Sequence, residues 1–303
     1  MVKDFVSLAD YTGDELLALL ALADELKALQ KADEPHRLLE GKTLALIFEK
    51  PSLRTRLTFQ VGMFQLGGYS VLMDARLGER ETVSDVAHNL ERWVDGIMAR
   101  TFKHEHVVQM AECTHIPVIN ALTDMLHPCQ ILADVQTLRE HKGHDLSRLK
   151  VAFVGDGNNV FHSWAHFAAR VPLNLTLVCP EGYAGNPELV ERARSEMQGT
   201  FEITHDCETG LRDADAVYTD VWASMGQEAE TAERQQIFAP YQVNDRLMAL
   251  AKPDAIFMHC LPAHRGQEVS ADVIDGPCSV CFDQAENRLH AQKAVLATLL
   301  GDV

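Results

Sequence analysis

Short apolar runs of strand length alternate with helical patterns along this chain, and that alternation limits the folds open to it. "TLALIFE" (43–49), "YSVLM" (69–73) and "GIMAR" (96–100) read as strands in the first half. "LKVAFVGDG", "LNLTLVC", "FEITHD", "DAVYTDV" and "AIFMHCL" (255–261) repeat the rhythm in the second. Helical patterns fall between them. Residues 12–31 open with Thr12 and Glu15 at capping-box spacing, and Leu16, Leu19, Leu20, Ala23 and Leu26 recur at helical intervals. "PSLRTRLTFQVGMFQLGG" reads as a helix stopped by Gly67 and Gly68, "VSDVAHNLERWV" as one capped by Ser84, and "HPCQILADVQTLREHKG" as one with proline in its first turn. Such alternation argues for an α/β chain of two lobes, each a parallel sheet flanked by helices. We expect a first domain over 1–135, a second over 136–286, and a closing helix, 287–303, packing back on the first.

In open α/β sheets, ligands bind beyond the carboxyl ends of strands. Those ends are polar here. "EKPSLRTRL" (49–57) sets Ser52, Arg54, Thr55 and Arg56 at a strand-to-helix junction in a chain of formal charge −17. Unpaired N–H groups at a helix start, together with hydroxyls and a forked guanidinium, form a cradle for phosphate or carboxylate. A capped helix with surface arginines is the plainer reading of the same residues. Arg100 ends a strand in the same lobe. His127 and Gln130, three apart on a first helical turn, share a face and suit a carbonyl oxygen and an amide.

In the second half, "GDGNN" (155–159) lacks the spacing of a dinucleotide loop because residue 160 is Val, so Asn158 or Asn159 is read as an amide donor to a small carboxylate. "DVWASMG" (220–226) places Asp220 four residues before Ser224, an arrangement suited to an ammonium group. Cys260, in "HCLPAHRGQEV", reads as a catalytic thiol, a metal ligand or a buried cysteine. "CSVC" (278–281) reads as structural, with β-branched Val280 in a strand.

With 27 Lys+Arg against 44 Asp+Glu, nucleic acid and anionic membrane are poor partners. No apolar run is long enough to span a bilayer. The N-terminus has no export-signal layout, and seven scattered cysteines read as cytosolic thiols, so we expect a cytoplasmic protein.

Taken together, Ser52-Leu53-Arg54-Thr55-Arg56, His127 to Gln130, Asp220 to Gly226, His259 to Pro262 and Glu286-Asn287-Arg288 resemble, in order, five motifs of the ornithine carbamoyltransferases, of the aspartate/ornithine carbamoyltransferase superfamily. The resemblance covers nearly the whole chain. It implies the carbamoyltransferase fold, carbamoyl phosphate on the first lobe, L-ornithine on the second, and L-citrulline and phosphate as products in arginine metabolism. It also implies a homotrimer or a multiple of trimers, and neither metal nor organic cofactor. It assigns the phosphate to Ser52, the Leu53 amide, Arg54, Thr55 and Arg100. The carbamoyl oxygen falls to Thr55, Arg100 and His127, and the carbamoyl amino group to Gln130 and the backbone around Cys260 and Leu261, with Arg288 closing over the ligand. Asn159 and the Met225 amide take the ornithine carboxylate, Asp220 and Ser224 its α-ammonium, and Cys260 the δ-amine. Leu53 departs from the threonine of many relatives, which removes a hydroxyl and keeps the N–H. Arg76 stands where the family sends a Gln or His into the neighbouring subunit's phosphate site, so a shared active site is expected. An aspartate-specific carbamoyltransferase, or a binding protein without activity, are the rival readings.

Overall fold

β1 (Thr43–Phe48) is buried from Leu44 to Phe48, as a strand covered on both faces requires. In the computed structural model, which describes residues 2–74, 76–223 and 230–301, the chain divides into two units. One comprises 1–136 and 286–303, the other 137–285.

The first unit begins with α1 (Gly13–Lys31), whose Thr12–Glu15 capping box forms as expected. After β1 come α2 (Leu53–Gln65), β2 (Tyr69–Asp74), α3 (Val83–Glu91), β3 (Gly96–Arg100), α4 (His104–Cys113) and β4 (Val118–Leu122). α5 (Pro128–Lys142) carries the chain across the unit boundary. α2 stops where φ turns to +85° at Gly67, and the Gly67 and Gly68 amides donate to the carbonyls of Phe64 and Met63. The strands pair in parallel in the order β2-β1-β3-β4. The chain leaves β1 toward one side and returns on the other as β3. That reversal opens a crevice at the carboxyl ends of β1 and β3. Ala45, Ile47, Ile97, Ala99, Val107 and Met110 fill the core beneath it.

The second unit runs through β5 (Lys150–Val154), α6 (Asn159–Ala168), β6 (Asn174–Val178), α7 (Pro187–Glu196), β7 (Phe201–Thr204), α8 (Cys207–Leu211) and β8 (Ala216–Thr219). α9 (Thr231–Phe238), α10 (Asp245–Met248), β9 (Ile256–His259) and α11 (Ala271–Ile274) follow, and α12 (Cys281–Leu300) returns the chain to the first unit. The order β7-β6-β5-β8-β9 is again parallel. Its reversal lies between β5 and β8, beside Gly155–Asn158 and Asp220.

Three local expectations are corrected. The α3 cap is Thr82, whose Oγ1 accepts from the Asp85 amide at 3.1 Å; Ser84 lies inside the helix, with its Oγ 2.9 Å from Gln109 Nε2 and 3.3 Å from Cys113 Sγ. The 278–281 stretch makes a single bridge, Ser279 to Phe257, instead of a strand. α12 then starts at Cys281, six residues before the expected 287, because Phe282 to Glu286 extend it without a helix breaker.

Candidate active site

The α2 N-terminus sits at the first crevice. Ser52 has extended backbone and caps the helix, its Oγ accepting from the Thr55 amide at 3.3 Å. The first-turn N–H groups of a helix have no intrahelical acceptor, so Leu53 and Arg54 present donors there. The Leu53 side chain itself is 71% exposed, which leaves the backbone as its contribution to a ligand.

Arg100, the last residue of β3, is buried, and the β3–β4 register shifts between Ala99 and Arg100. Such an irregularity re-aims a side chain at a strand end. His127 and Gln130 flank Pro128, whose missing N–H is tolerated in a first helical turn. Both are buried. Burial, reinforced by the positive charges of Arg288, Arg100 and Arg54, holds His127 well below the usual histidine range. At neutral pH it is therefore an uncharged imidazole with one N–H to give.

Arg288 comes from α12. Its Nη1 donates to Gln130 Oε1 at 2.5 Å and its Nη2 to Thr55 Oγ1 at 3.3 Å. Two supporting residues escaped the sequence reading. Asp134 Oδ1 accepts from Gln130 Nε2 at 2.7 Å, which turns the Gln130 oxygen toward Arg288. Gln292 also meets the guanidinium: with its amide assigned from the hydrogen-bond network, its Oε1 accepts from Arg288 Nε at 3.2 Å and Nη2 at 2.7 Å. Each stands four residues beyond the group it orients, one turn along the same helix. That spacing was the available signal.

Arg76 is exposed and ion-paired with Glu79 at 3.3 Å. It lines a cleft of about 680 Å³ with Lys50, Ser52, Leu53 and Arg56 of its own chain.

In the second unit, Asn158 caps α6, its Oδ1 accepting from the Val160 and Phe161 amides at 2.9 and 3.2 Å. Its Nδ2 donates to Asp220 Oδ2 at 2.7 Å. Gly157 could be no other residue, because a Cβ would lie 2.5 Å from the Gly185 nitrogen. Asp220 Oδ1 accepts from Cys260 Sγ at 3.0 Å and from the Val221 amide at 2.8 Å. The structure thus brings together Asp220 and Cys260, with Asn159 opening α6 next to Asn158 and Leu261 following Cys260. The Ser224 and Met225 expectations lie outside the described residues.

Asp220, His259 and Cys260 place ligand-type atoms within 4.8 Å of one another. His259, however, already uses both nitrogens: Nδ1 accepts from the Leu261 amide at 2.8 Å, and Nε2 donates to Glu268 Oε1 at 3.2 Å. The group is internally hydrogen-bonded, and a cation would have to break those bonds.

The first unit's crevice of guanidinium groups, helix N-terminus and neutral imidazole suits an anionic small molecule, and the second unit's crevice, built around a carboxylate, suits a cationic one. Residues 3–140 match the family model "Aspartate/ornithine carbamoyltransferase, carbamoyl-P binding domain", and 147–299 match "Aspartate/ornithine carbamoyltransferase, Asp/Orn binding domain". The ornithine carbamoyltransferase of Thermococcus kodakarensis is 53% identical over 307 residues, spanning 99% of this chain and 97% of that protein. Among solved structures, the ornithine carbamoyltransferase of Pyrococcus furiosus superimposes with a TM-score of 0.95 at 50% identity, covering 99% of this chain and 98% of that one. The Thermus thermophilus ornithine carbamoyltransferase gives 0.89 at 46% identity, with 99% of each chain covered. The chain belongs to the aspartate/ornithine carbamoyltransferase family.

Proposed function

We propose that this protein transfers the carbamoyl group of carbamoyl phosphate to the δ-amine of L-ornithine, releasing L-citrulline and phosphate, as an enzyme of arginine biosynthesis. The observation that carries the reading is Arg288 hydrogen-bonded to both Gln130 and Thr55, in the same unit as buried Arg100 and a His127 kept neutral by burial and by the positive charges of Arg288, Arg100 and Arg54. The first unit is the carbamoyl phosphate domain. Its phosphate is held by Ser52, the Leu53 amide, Arg54, Thr55 and Arg100, and its carbamoyl group by Thr55, Arg100, His127, Gln130 and Arg288. The second unit takes ornithine. Asn159 and the Met225 amide bind its carboxylate, Asp220 and Ser224 its α-ammonium, and Cys260, hydrogen-bonded to Asp220, orients the δ-amine.

The chemistry follows from these groups. A lysine-like amine with a pKa of about 10.4 is neutral in only about one molecule per thousand near pH 7.4. Productive binding therefore selects the deprotonated amine. Attack on the carbonyl carbon gives a tetrahedral oxyanion, which Arg100, the His127 N–H and Thr55 stabilise. Collapse expels phosphate, which accepts the amine proton. No covalent enzyme intermediate is needed, since positioning and fixed charge supply the acceleration.

Asp220 is what favours ornithine over aspartate, because a carboxylate repels a dicarboxylate acceptor. Purified protein given carbamoyl phosphate should form citrulline with ornithine and no carbamoyl-aspartate with aspartate. Product with aspartate alone overturns the acceptor assignment, and product with neither overturns the reaction.

The reading extends to a homotrimer with shared sites. Leu53, Leu57, Val61 and Phe64 form an exposed apolar stripe along α2, contiguous with the Ser52 cleft, and a second copy of the chain is its natural cover. Arg76 would reach phosphate across that interface. Among the described residues, no helix is long and apolar enough to cross a membrane, and a cytoplasmic location rests on the scattered cysteines, which form no disulfide among the described residues.

A further inference from the structure

Glu49 follows β1 and places a carboxylate at the edge of an anion crevice, where charge alone would disfavour it. Its side chain is only 4% exposed, yet it lines the cleft shared by Ser52, Arg56 and Arg76. Both oxygens are engaged by backbone, and by different loops. Oε1 accepts from the Leu77 amide at 2.8 Å, next to Arg76. Oε2 accepts from the Phe102 amide at 2.8 Å, two residues beyond Arg100. The Glu49 N–H in turn donates to the Arg100 carbonyl at 2.9 Å. One residue therefore ties the β2–α3 loop and the β3–α4 loop to the turn that launches α2. Leu77 is buried in the core on one side of this knot, so the Arg76 loop is held both by packing and by the carboxylate.

We infer that Glu49 is a positioning residue for phosphate binding. Through backbone bonds it holds Arg100 beside the helix start at Ser52 and fixes the loop that carries Arg76 for the neighbouring subunit's site, without itself touching the ligand. This rests on the first unit being the carbamoyl phosphate domain. The negative charge is tolerated because its oxygens are spent on N–H groups, and a carboxylate is the side chain able to accept from two separate loops at once.

Glu49→Gln keeps the shape and one acceptor oxygen but turns an N–H group toward a backbone N–H, so one loop is released. The expected result is a rise of roughly tenfold in the KM for carbamoyl phosphate and in the dissociation constant for inorganic phosphate, a loss typical of one charged hydrogen bond. The KM for ornithine and the melting temperature should stay near those of the parent. Unchanged phosphate affinity in folded Glu49→Gln overturns the inference. So does an equal rise in both KM values accompanied by a loss of melting temperature, which marks a general fold anchor. If the Gln variant does not fold, Glu49→Asp, which keeps the charge and withdraws both oxygens, is read by the same criteria. A parent protein that binds no phosphate would instead remove the carbamoyl phosphate reading itself, leaving the two failures distinct.

Discussion

Arg288 and Gln130 are 158 residues apart in sequence and 2.5 Å apart at their side-chain tips. This contact, with the one to Thr55, explains why the last helix belongs to the first unit: its charged residue completes that unit's crevice. Arg288→Gln should weaken carbamoyl phosphate binding by about 1.5–3 kcal/mol, the range for charged hydrogen bonds. The KM for ornithine should change little. Titration with phosphate and steady-state kinetics check it, and equal affinity would remove Arg288 from the site.

Asp220→Asn should raise the KM for ornithine while phosphate affinity stays near the parent's, since the residue lies among Asn158, Val221 and Cys260 of the second unit. The loss of the proposed charge pair with the α-ammonium should amount to tenfold or more, on the order of 2 kcal/mol. A parallel loss of phosphate binding would mean that the substitution disturbs the fold.

His127 is held below its ordinary range by burial first and by Arg288, Arg100 and Arg54 next. It therefore remains neutral as pH falls through the usual histidine range. The pH profile of kcat should show no acidic limb near 6.5, and kcat/KM for ornithine should keep rising toward alkaline pH as the amine deprotonates. An inflection near 6.5 that disappears in His127→Asn would contradict the neutral assignment.

Lys293 is fully buried on α12, donating to Gln30 Oε1 at 2.8 Å and His36 Nε2 at 2.9 Å, and burial lowers its pKa to about 8. The folded state then loses this proton before the unfolded state does. Below about pH 8 both states carry it and the penalty is complete; above that, the unfolded chain binds more protons and stability rises with pH. The contribution is up to about 1.4 kcal/mol per pH unit until the unfolded lysine also titrates near 10.4. Urea midpoints from pH 7.5 to 10 should therefore gain on those of Lys293→Met. Parallel curves for the two proteins would show that the ammonium is better solvated than its burial implies.

Arg76 and Arg54 test the shared site. Each Ala variant alone should be nearly inactive. Mixed after dissociation and reassembly, they should regain activity through hybrid sites with Arg54 from one subunit and Arg76 from the next. Because Arg76 also lines the Ser52 cleft of its own chain, the outcome is decisive: hybrids as inactive as their parents mean that Arg76 acts within its own subunit.

How much of this was legible in the sequence depended on whether a residue's partners were local. The Thr12–Glu15 capping box and the Gly67 stop needed only neighbours within a turn, and both form as read. The crevice residues were legible because strand ends attract ligands and because their motifs match a known pattern. Ser84 was misplaced as a cap because Thr82, two residues earlier, has the same chemistry and only backbone geometry separates them. Glu49 and Asp134 were not legible as site residues. Their partners are backbone amides of distant loops in one case and a side chain whose orientation is a packing outcome in the other.

The positive charges of Arg54, Arg100 and Arg288, all felt by one imidazole, have a practical side. Nothing in such a place distinguishes the phosphoryl end of a substrate from a free oxyanion of the same shape and charge. Sulfate and orthophosphate, common as salts and buffers, should occupy it and compete, and the reaction's own phosphate should do so as turnover proceeds. Rates taken in phosphate buffer would then understate the enzyme, whereas thermal stability measured there would overstate that of the empty protein.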